Sequence, residues 1–313
     1  MQRNLIPSFT LVAVVVGTCT MTGVAAAQSP EQIAKIEAAA PSEPYAAPKK
    51  ARKLLVFSRT RGYRHSSIPV GAAAMKILGK KSTAFEIIHS EDIAVFEPDS
   101  LKQFDAVCML NTTGELFTPA NLAKMPEDKR NQALAREKRL KKSLLDFVNS
   151  GGGLVGIHAA TDCFYKWPAY GRMIGGYFSG HPWHEKVSIN VEKRDHPLCQ
   201  MFDADRFDIV DEIYQLRAPY SRKRLNVLLS IDTERTDMTK KNIKRKDGDF
   251  AVSWVRRQGK GRVFYCSLGH RDEIYWNPLI LRHYLAGIQF ALGDLDWLTS
   301  EQKDAARSPV AKP

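Results

Sequence analysis

The amino-acid sequence predicts an α/β domain with a mostly parallel sheet, helices on both faces and an antiparallel extension. In the first half of the chain, strand-like runs are apolar throughout instead of alternating with polar residues. Helical segments separate these runs, whereas the second half is rich in strands. Uninterrupted apolar strands separated by helices are typical of a parallel sheet that is covered on both faces.

Strands and helices alternate in the first half of this domain. The predicted strands are KLLVFS (53–58), FEIIHS (85–90), FDAVCML (104–110) and GLVGI (153–157). Helices are predicted over 68–80, around Ser100 and in a long basic stretch that ends at Asn149. The glycine triplet that follows Asn149 favours termination of that helix.

The second half is predicted to consist mainly of strands. These are KVSINVE (186–192), FDIVDEIYQL (207–216), NVLLSID (226–232), FAVSWVR (250–256) and GRVFYCSLG (261–269). A turn at Gln258–Gly261 joins the last two strands into a hairpin. A closing helix is expected over Pro278–Leu292, with Gly293 as its stop signal.

The N-terminus resembles a secretory signal peptide over residues 1–27. Arg3 supplies a basic start, and the apolar run 9–17 is too short to span a bilayer comfortably. Ala25–Ala27 matches the small-residue pattern that precedes signal cleavage. We therefore expect cleavage after Ala27, a periplasmic or extracellular location, and no stable membrane span in the mature protein. An uncleaved anchor helix is the alternative.

The remaining boundaries follow from changes in composition. Residues 28–52 are rich in Ala, Pro, Ser and Glu, which predicts a flexible linker with room for one short helix at 31–39. Residues 53–298 are predicted to form one α/β domain. Residues 299–313 are predicted to form a C-terminal tail.

Composition and charge exclude several protein classes. With 44% hydrophobic and 26% charged residues, the 313-residue chain is neither wholly disordered, collagen-like nor a polytopic membrane protein. The net charge is +12, and basic residues concentrate at 129–142 and 240–246. Neither stretch has interleaved aromatic residues or a nucleic-acid motif, so we interpret both as solvated surface and expect no nucleic-acid partner.

The cysteines do not indicate a metal or redox motif. Beyond the predicted signal peptide, the cysteines are widely spaced and form no CxxC pair: Cys108, Cys163, Cys199 and Cys266. Cys108 and Cys266 lie within apolar strands, where a role as a buried small side chain is expected. Export permits a disulfide, but the sequence indicates no particular pairing.

Polar residues directly follow the predicted parallel strands. They are His65, Asn111, His158 with Asp162, and His270. Ligands of open parallel sheets bind beyond the carboxyl ends of the strands. Because three of the eight histidines occupy such positions, we predict a functional cluster there.

Two further segments carry candidate groups. SGHPWHEK places His181 and His184 at a spacing that can ligate a metal, although Pro182 disfavours the helix on which such pairs usually lie. Glu212 and Tyr214 share one face of a predicted strand. Glu212 is either a general acid or base or one partner of a sheet-edge ion pair.

The segment GGGLVGIHAATD resembles the strand-to-helix turn that exposes a nucleophile in hydrolases and amidotransferases. His158 occupies the nucleophile position, and Cys163 comes five residues later. This arrangement disfavours a cysteine nucleophile. It leaves proton transfer or metal ligation by imidazole as the available chemistry.

Several segments together resemble the ThuA-like (trehalose utilisation) family over roughly residues 53–295. They are FSRTRGYRHSSI, GGGLVGIHAATD, GGYFSGHPWHEKVSI, DHPL, DEIY and WVRRQGKGRVFYCSLGH. The resemblance implies a flavodoxin-like fold related to class I glutamine amidotransferases without their catalytic cysteine. It also implies a link to disaccharide and keto-sugar metabolism. The recurring family positions it implies are His65, His158, Asp162, His181, Glu212, Trp254 and His270.

These observations favour an exported carbohydrate-active enzyme: a hydrolase, lyase or isomerase of a glycoside or keto-sugar. The expected catalytic residues are His158, His270 and Glu212. The expected substrate-binding residues are His65, Asn111, Asp162, His181, Trp183 and Trp254. Because no carboxylate pair is evident, ordinary two-carboxylate glycoside hydrolysis is the less favoured reaction.

Two alternatives remain at this stage. One is a non-catalytic carbohydrate-binding module on a degenerate amidotransferase-like scaffold. The other is a metal-dependent version of the enzyme, in which a divalent metal is bound by His181 and His184, or by His158 or His270. The sequence indicates neither the substrate nor the oligomeric state.

Overall fold

A computed structural model describes residues 28–295 and contains a nine-stranded mixed sheet. The strands are β1 (Lys53–Phe57), β2 (Glu86–Ser90), β3 (Ala106–Leu110), β4 (Gly153–Ile157), β5 (Tyr177–Phe178), β6 (Trp183–Val191), β7 (Arg206–Ile213), β8 (Leu216–Arg217), β9 (Asn226–Ile231), β10 (Ala251–Gln258) and β11 (Gly261–Cys266). The helices are α1 (Pro30–Ala39), α2 (Ile68–Ser82), α3 (Pro98–Leu101), α4 (Glu127–Asn149), α5 (Pro168–Ile174) and α6 (Pro278–Leu292).

The strand order of the large sheet is β2-β1-β3-β4-β11-β10-β9-β6-β7. The five strands from β2 to β11 run parallel, and the remaining pairs are antiparallel. The parallel part has the doubly wound order of a flavodoxin-like fold, whose order reverses between β1 and β3. The predicted α/β class and its antiparallel extension are therefore confirmed.

The apolar strands are buried on both faces, as their composition predicts. In β1, Leu54 and Val56 belong to the core on one side of the sheet, while Leu55 and Phe57 belong to the core on the other. This alternation follows from the two-residue period of a strand. The first core includes residues of α2 and α6, and the second includes residues of α4 and α5.

The sequence does not predict three small elements. These are α5 and the two-stranded antiparallel sheet formed by β5 and β8. The predicted strand 207–216 is interrupted after Ile213 as a result, since Leu216 pairs with Phe178 and not with β6. Short elements of this kind carry too few residues for a periodic pattern to show.

Residues 28–52, predicted as a linker, contain α1 and lie along the domain. Gln32 Nε2 donates to Asp272 Oδ2 over 3.1 Å, and the backbone N–H of Tyr45 donates to Gln289 Oε1 over 2.7 Å. Arg52 closes the segment through an ion pair with Asp294. The short helix expected at 31–39 is present as α1, while the flexibility of the segment stays a prediction.

The basic stretch 129–142 lies on α4, where nearby carboxylates pair with part of its charge. Arg136 and Arg139 contact Glu97, and Lys141 contacts Glu137. Its basic residues are mostly exposed or half-buried, which agrees with a solvated helix face.

The predicted signal peptide (1–27) and tail (299–313) lie outside the described residues. Within residues 28–295, no helix combines the length and apolarity needed to cross a bilayer.

Candidate functional site

The candidate site lies at the carboxyl ends of the parallel strands. His65 lies in the loop after β1, His158 directly follows β4, and His270 follows β11. Glu212 comes from β7, the outermost strand of the antiparallel extension. The structure thus brings together the residues that the sequence analysis placed at separate strand ends.

His158 adopts a strained backbone conformation at the strand-to-helix turn. Its φ of +49° lies in the left-handed region, which a residue with a side chain rarely occupies. Two contacts hold it there: its backbone carbonyl accepts the Tyr265 hydroxyl over 2.7 Å, and its Nδ1 lies 2.7 Å from the Ser267 carbonyl oxygen. Strain of this kind persists where surrounding structure enforces it, often at functional sites.

Four side chains converge on one point. The ligand-type atoms of His65, His158, Glu212 and His270 all lie within 4.8 Å of one another. Glu212 Oε1 is 3.7 Å from His158 Nε2 and 3.3 Å from His270 Nδ1. We call these four residues the inner cluster.

The inner cluster is buried, and two of its imidazoles have unpartnered nitrogens. His158 is fully buried, and His65 is 4% exposed. Among residues 28–295, His65 Nδ1 and His158 Nε2 have no hydrogen-bond partner, and His270 Nδ1 has only the Glu212 carboxylate oxygen at 3.3 Å. Since buried polar atoms are nearly always hydrogen-bonded, such atoms in one small volume call for an explanation.

Two further histidines lie at the exposed side of Glu212. His181 Nδ1 and His184 Nδ1 are 3.4 Å and 3.8 Å from Glu212 Oε2, the oxygen that faces away from His158 and His270. Their side chains are about half exposed. We call this pair the mouth histidines.

The imidazoles of the site differ in their acidity. Burial, together with the neighbouring His270, lowers the pKa of His65 to about 4. Burial likewise holds the pKa of His158 well below its ordinary value. The pKa of His270 is raised, because the Glu212 carboxylate outweighs the opposing effect of burial. His65 and His158 are therefore neutral imidazoles at neutral pH.

The loop that carries His270 is anchored by Asp211. This buried carboxylate accepts the backbone N–H groups of Gly269 at 2.7 Å, His270 at 3.3 Å and Arg271 at 2.9 Å. Asp211 and Glu212 are adjacent on β7, so one strand holds the loop and supplies the carboxylate of the inner cluster. The sequence analysis missed this role, and the run of two acidic residues in DEIY was the only available signal.

A family comparison places these motifs in context. The chain matches the ThuA family model, described as trehalose utilisation, over residues 53–291. The chain belongs to the ThuA family. It has no significant match among curated protein sequences.

Solved structures share the fold of this ThuA protein. A ThuA-like protein from Bacteroides uniformis is 23% identical, with a TM-score of 0.58 and coverage of 79% of this chain and 94% of that chain. A ThuA-like protein from Parabacteroides merdae is 18% identical, with a TM-score of 0.54 and coverage of 80% and 93%. A cytoplasmic protein from Salmonella typhimurium is 12% identical, with a TM-score of 0.53 and coverage of 76% and 98%. Identities this low show a common fold alone.

Two predicted sugar-stacking residues of the ThuA chain do not reach the site. Trp183 and Trp254 are fully buried. Their indole N–H groups donate to the backbone carbonyls of Asp237 and Ile174, respectively. Neither ring has an exposed face on which a sugar could stack in this structure, and a role of the two residues in substrate binding stays a prediction. Their apolar surface belongs to the two cores instead.

Asn111 makes hydrogen bonds within the protein. It is fully buried, and its Nδ2 donates to Ser67 Oγ and to the Gly269 carbonyl at 3.0 Å and 3.1 Å. Its Oδ1 accepts the Tyr275 hydroxyl over 3.3 Å. Both ends of its amide are engaged and Asn111 positions the Gly269 turn, while its role in substrate binding stays a prediction.

Asp162 lies beside the site. It is half-buried, and its Oδ1 accepts the Tyr165 hydroxyl over 2.5 Å. Burial raises the pKa of this carboxyl, and the nearby Glu212 carboxylate raises it further. Its role in orienting substrate stays a prediction.

The described cysteines are buried free thiols. Cys163, the cysteine nearest the strand-to-helix turn, lies 3.4 Å from Thr112 Oγ1 and donates to the Ala160 carbonyl. Burial raises the pKa of its thiol to about 12. A thiol with this pKa is not the thiolate that nucleophilic catalysis requires.

Proposed function

We propose that this ThuA protein is an exported enzyme that acts on a glycoside or keto-sugar as a hydrolase, lyase or isomerase. One observation carries the proposal: the buried Glu212 carboxylate has four imidazoles within 4 Å, two inside the protein and two at its surface. A carboxylate flanked by imidazoles at the carboxyl edge of a parallel sheet is suited to moving protons.

In this proposal the two carboxylate oxygens of Glu212 contact different pairs of histidines. Oε1 faces the buried His158 and His270, whereas Oε2 faces the mouth histidines. A proton released by a substrate at the surface would pass to His181 or His184, whose Nδ1 atoms lie 3.4 Å and 3.8 Å from Glu212 Oε2. The mouth histidines would then return the proton to the leaving oxygen of a glycoside or to a carbon next to the carbonyl of a keto-sugar.

The family description and the polar side chains around the mouth histidines favour a substrate with many hydroxyl groups. The family model is described as trehalose utilisation, which supports a sugar. The exposed imidazoles of the mouth histidines, the Asp162 carboxylate and the Tyr165 hydroxyl offer both donors and acceptors for hydroxyl groups. The proposed reaction needs no cysteine nucleophile.

The assay is a panel of disaccharides, keto-sugars and their glycosides, followed by NMR for new sugar signals. Glu212→Gln is close in size to glutamate and removes the charge, so we expect a loss of about 10²–10⁴-fold in kcat. His181→Ala and His184→Ala test the proton pathway at positions whose side chains are about half exposed. His89→Gln changes an exposed histidine on β2 outside the site and serves as the control.

A sugar turned over by the wild type and by His89→Gln, but not by Glu212→Gln, would support the proposal. Sugar binding without turnover under all conditions would instead indicate the non-catalytic binding module. Turnover that Glu212→Gln leaves unchanged would contradict the assigned site.

Export is the second part of the proposal and rests on the signal-like sequence of residues 1–27. N-terminal sequencing of protein recovered from the native host tests it. Gln28 as the first residue is the expected result, and an intact Met1 or Gln2 would contradict cleavage.

A further inference from the structure

The inner cluster combines features that a bound cation would explain. Its three imidazoles and one carboxylate belong to four different segments, each placed by a different strand end. Two of their buried nitrogens, His65 Nδ1 and His158 Nε2, have no hydrogen-bond partner among the described residues. The question is what occupies the point on which they converge.

His158 gives the clearest constraint. The Ser267 carbonyl can only accept, so the contact of 2.7 Å requires that His158 Nδ1 carry the proton. In a neutral imidazole Nε2 then has a lone pair, and it lies 3.7 Å from a carboxylate oxygen of Glu212. Two acceptors that face each other in a buried space repel unless a positive charge or a donor lies between them.

The hydrogen bond to Ser267 is also the arrangement found for metal-bound histidines. A ligating imidazole usually donates its other N–H to a carbonyl or carboxylate, which fixes the tautomer and the ring orientation. His158 donates its Nδ1–H to the backbone carbonyl of Ser267 in this way. A backbone carbonyl does not titrate, so the tautomer of His158 is fixed.

The spacing suits a single ion. Ligand atoms at ~2.1 Å from one ion lie no more than ~4.2 Å apart. The two contacts of Glu212 Oε1, at 3.7 Å and 3.3 Å, fall within this limit. In a tetrahedral site such atoms lie ~3.4 Å apart, so the widest separation of 4.8 Å must contract by more than ~1 Å when the ion binds.

A sugar is an unsuitable occupant for this inner position. His158 is fully buried and His65 almost so, so a ring with its hydroxyl groups cannot reach their nitrogens without opening the protein. A compact ion can. The partly exposed His270 and the mouth histidines lie on the solvent side of the same point.

We infer that His65, His158, Glu212 and His270 bind one divalent first-row transition-metal ion, with the open side toward the mouth histidines. Imidazole-rich sets with one carboxylate suit Zn²⁺ and its neighbours, whereas Mg²⁺ and Ca²⁺ prefer oxygen ligands alone. The catalytic part of this inference rests on the proposed function, where the ion would polarise a hydroxyl or carbonyl oxygen as a Lewis acid. His181 and His184, which the sequence analysis considered as ligands, lie on the far oxygen of Glu212 and are not needed to hold the ion.

The test measures metal binding directly and does not depend on activity. The full mature chain is stripped with a chelator, and binding of Zn²⁺, Mn²⁺, Co²⁺, Ni²⁺ and Fe²⁺ is followed by calorimetry and elemental analysis. We expect about one ion per chain for at least one of these metals. Removal of a ligand in His270→Gln or Glu212→Gln should raise Kd by more than the ~10–100-fold known for residues that merely orient ligands.

Matched variants locate the ion. His181→Ala and His184→Ala change imidazoles next to the same carboxylate and should retain stoichiometric binding, as should His89→Gln. Circular dichroism and the metal-induced rise in Tm show whether each variant is folded. Because His270 is partly exposed, its variant should fold even if one at the buried His158 does not.

Failure of this inference can be distinguished from failure of the proposed function. Absence of binding for all five ions, or binding lost in His181→Ala or His184→Ala but kept in folded His270→Gln and Glu212→Gln, would overturn the inner site. Metal bound at the inner cluster without turnover of any sugar would leave the inference standing and contradict the enzyme proposal. Full turnover by chelated, metal-free protein would overturn the catalytic part of the inference alone.

Discussion

The fully buried carboxylate of Asp211 accepts a hydrogen bond from the backbone N–H of Gly269 over 2.7 Å. The carbonyl of Gly269 in turn accepts from Ser67 Oγ at 3.0 Å and the Tyr275 hydroxyl at 3.0 Å. Both sides of this one residue are therefore held by side chains, and His270 follows directly. The position of His270 in the inner cluster depends on this anchoring.

Asp211→Asn should disturb the site without changing any residue of the inner cluster. One carboxylate oxygen becomes an amide N–H₂ group, which must face a backbone N–H of Gly269 or Arg271 that it cannot satisfy. We expect a loss of about 1–3 kcal/mol in the free energy of unfolding and a rise of about 10–100-fold in metal Kd. Urea titration and calorimetry measure the two effects. Unchanged metal affinity in the folded variant would show that Asp211 does not position His270.

Gly269→Ala should lower the free energy of unfolding much more than Gly248→Ala does. Both glycines have positive φ, at +134° and +69°. A Cβ on Gly269 would lie 2.8 Å from the Tyr275 hydroxyl and 3.2 Å from the Cβ of His158, whereas a Cβ on Gly248 meets nothing within 4 Å.

Gly248→Ala should therefore cost only the ~1–2 kcal/mol of the left-handed conformation. Gly269→Ala should cost more than this and weaken metal binding as well. Thermal unfolding of both variants gives the comparison. Equal losses of stability would mean that the turn at Gly269 can relax without loss.

His283 should make stability fall at mildly acidic pH. This fully buried histidine has its pKa lowered to about 4 by burial, from an ordinary value of 6.5. Below about pH 6.5 the unfolded chain takes up a proton that the folded chain does not. Stability is therefore retained above that pH and lost as the pH falls toward about 4.

For one such group the loss is about 2 kcal/mol at about pH 5. His283→Gln keeps a polar group near Ser253 Oγ and the Leu198 carbonyl. Between about pH 7.5 and about pH 5, its free energy of unfolding should fall less than that of the wild type. Urea unfolding at the two pH values measures it. A drop as large in the variant as in the wild type would assign the acid sensitivity to other groups.

The buried ion pair between Arg52 and Asp294 should anchor the N-terminal segment. Arg52 Nη2 lies 2.5 Å from Asp294 Oδ1, and the aspartate side chain is fully buried. Asp294 also accepts the backbone N–H of Lys49 over 3.0 Å. Asp294→Ala leaves the guanidinium without its main partner and should cost about 3–5 kcal/mol.

Limited proteolysis of the same variant should show earlier cleavage within residues 28–52. The exposed pair of Lys102 and Asp99 is the matched control, since a surface pair contributes about 0–1 kcal/mol. Similar stability losses for Asp294→Ala and Asp99→Ala would contradict the anchoring role.

The sequence was informative where the pattern is local. Apolar strands such as 53–57 and 153–157 and the helix at 278–292 follow from periodicity and capping residues, and each was predicted close to its bounds. The carboxyl-end rule then identified His65, His158 and His270 as neighbours, because parallel strands place their ends on one edge.

What the sequence could not indicate depends on how distant segments meet. Glu212 lies on the last strand of the sheet, and only the folded chain shows that its two oxygens separate the inner cluster from the mouth histidines. The same applies to Trp183 and Trp254: an aromatic residue beside a polar segment has the same sequence pattern whether its ring is buried or exposed. Their burial is decided by packing between layers.

The most direct test of the central claim is an anomalous difference map from crystals of zinc-loaded protein, recorded at the zinc absorption edge. We expect one peak at ~2.0–2.2 Å from one ring nitrogen of His65, from His158 Nε2, from His270 Nδ1 and from a carboxylate oxygen of Glu212. A peak held by His181 and His184 instead, or an empty inner cluster in zinc-saturated crystals, would contradict the account.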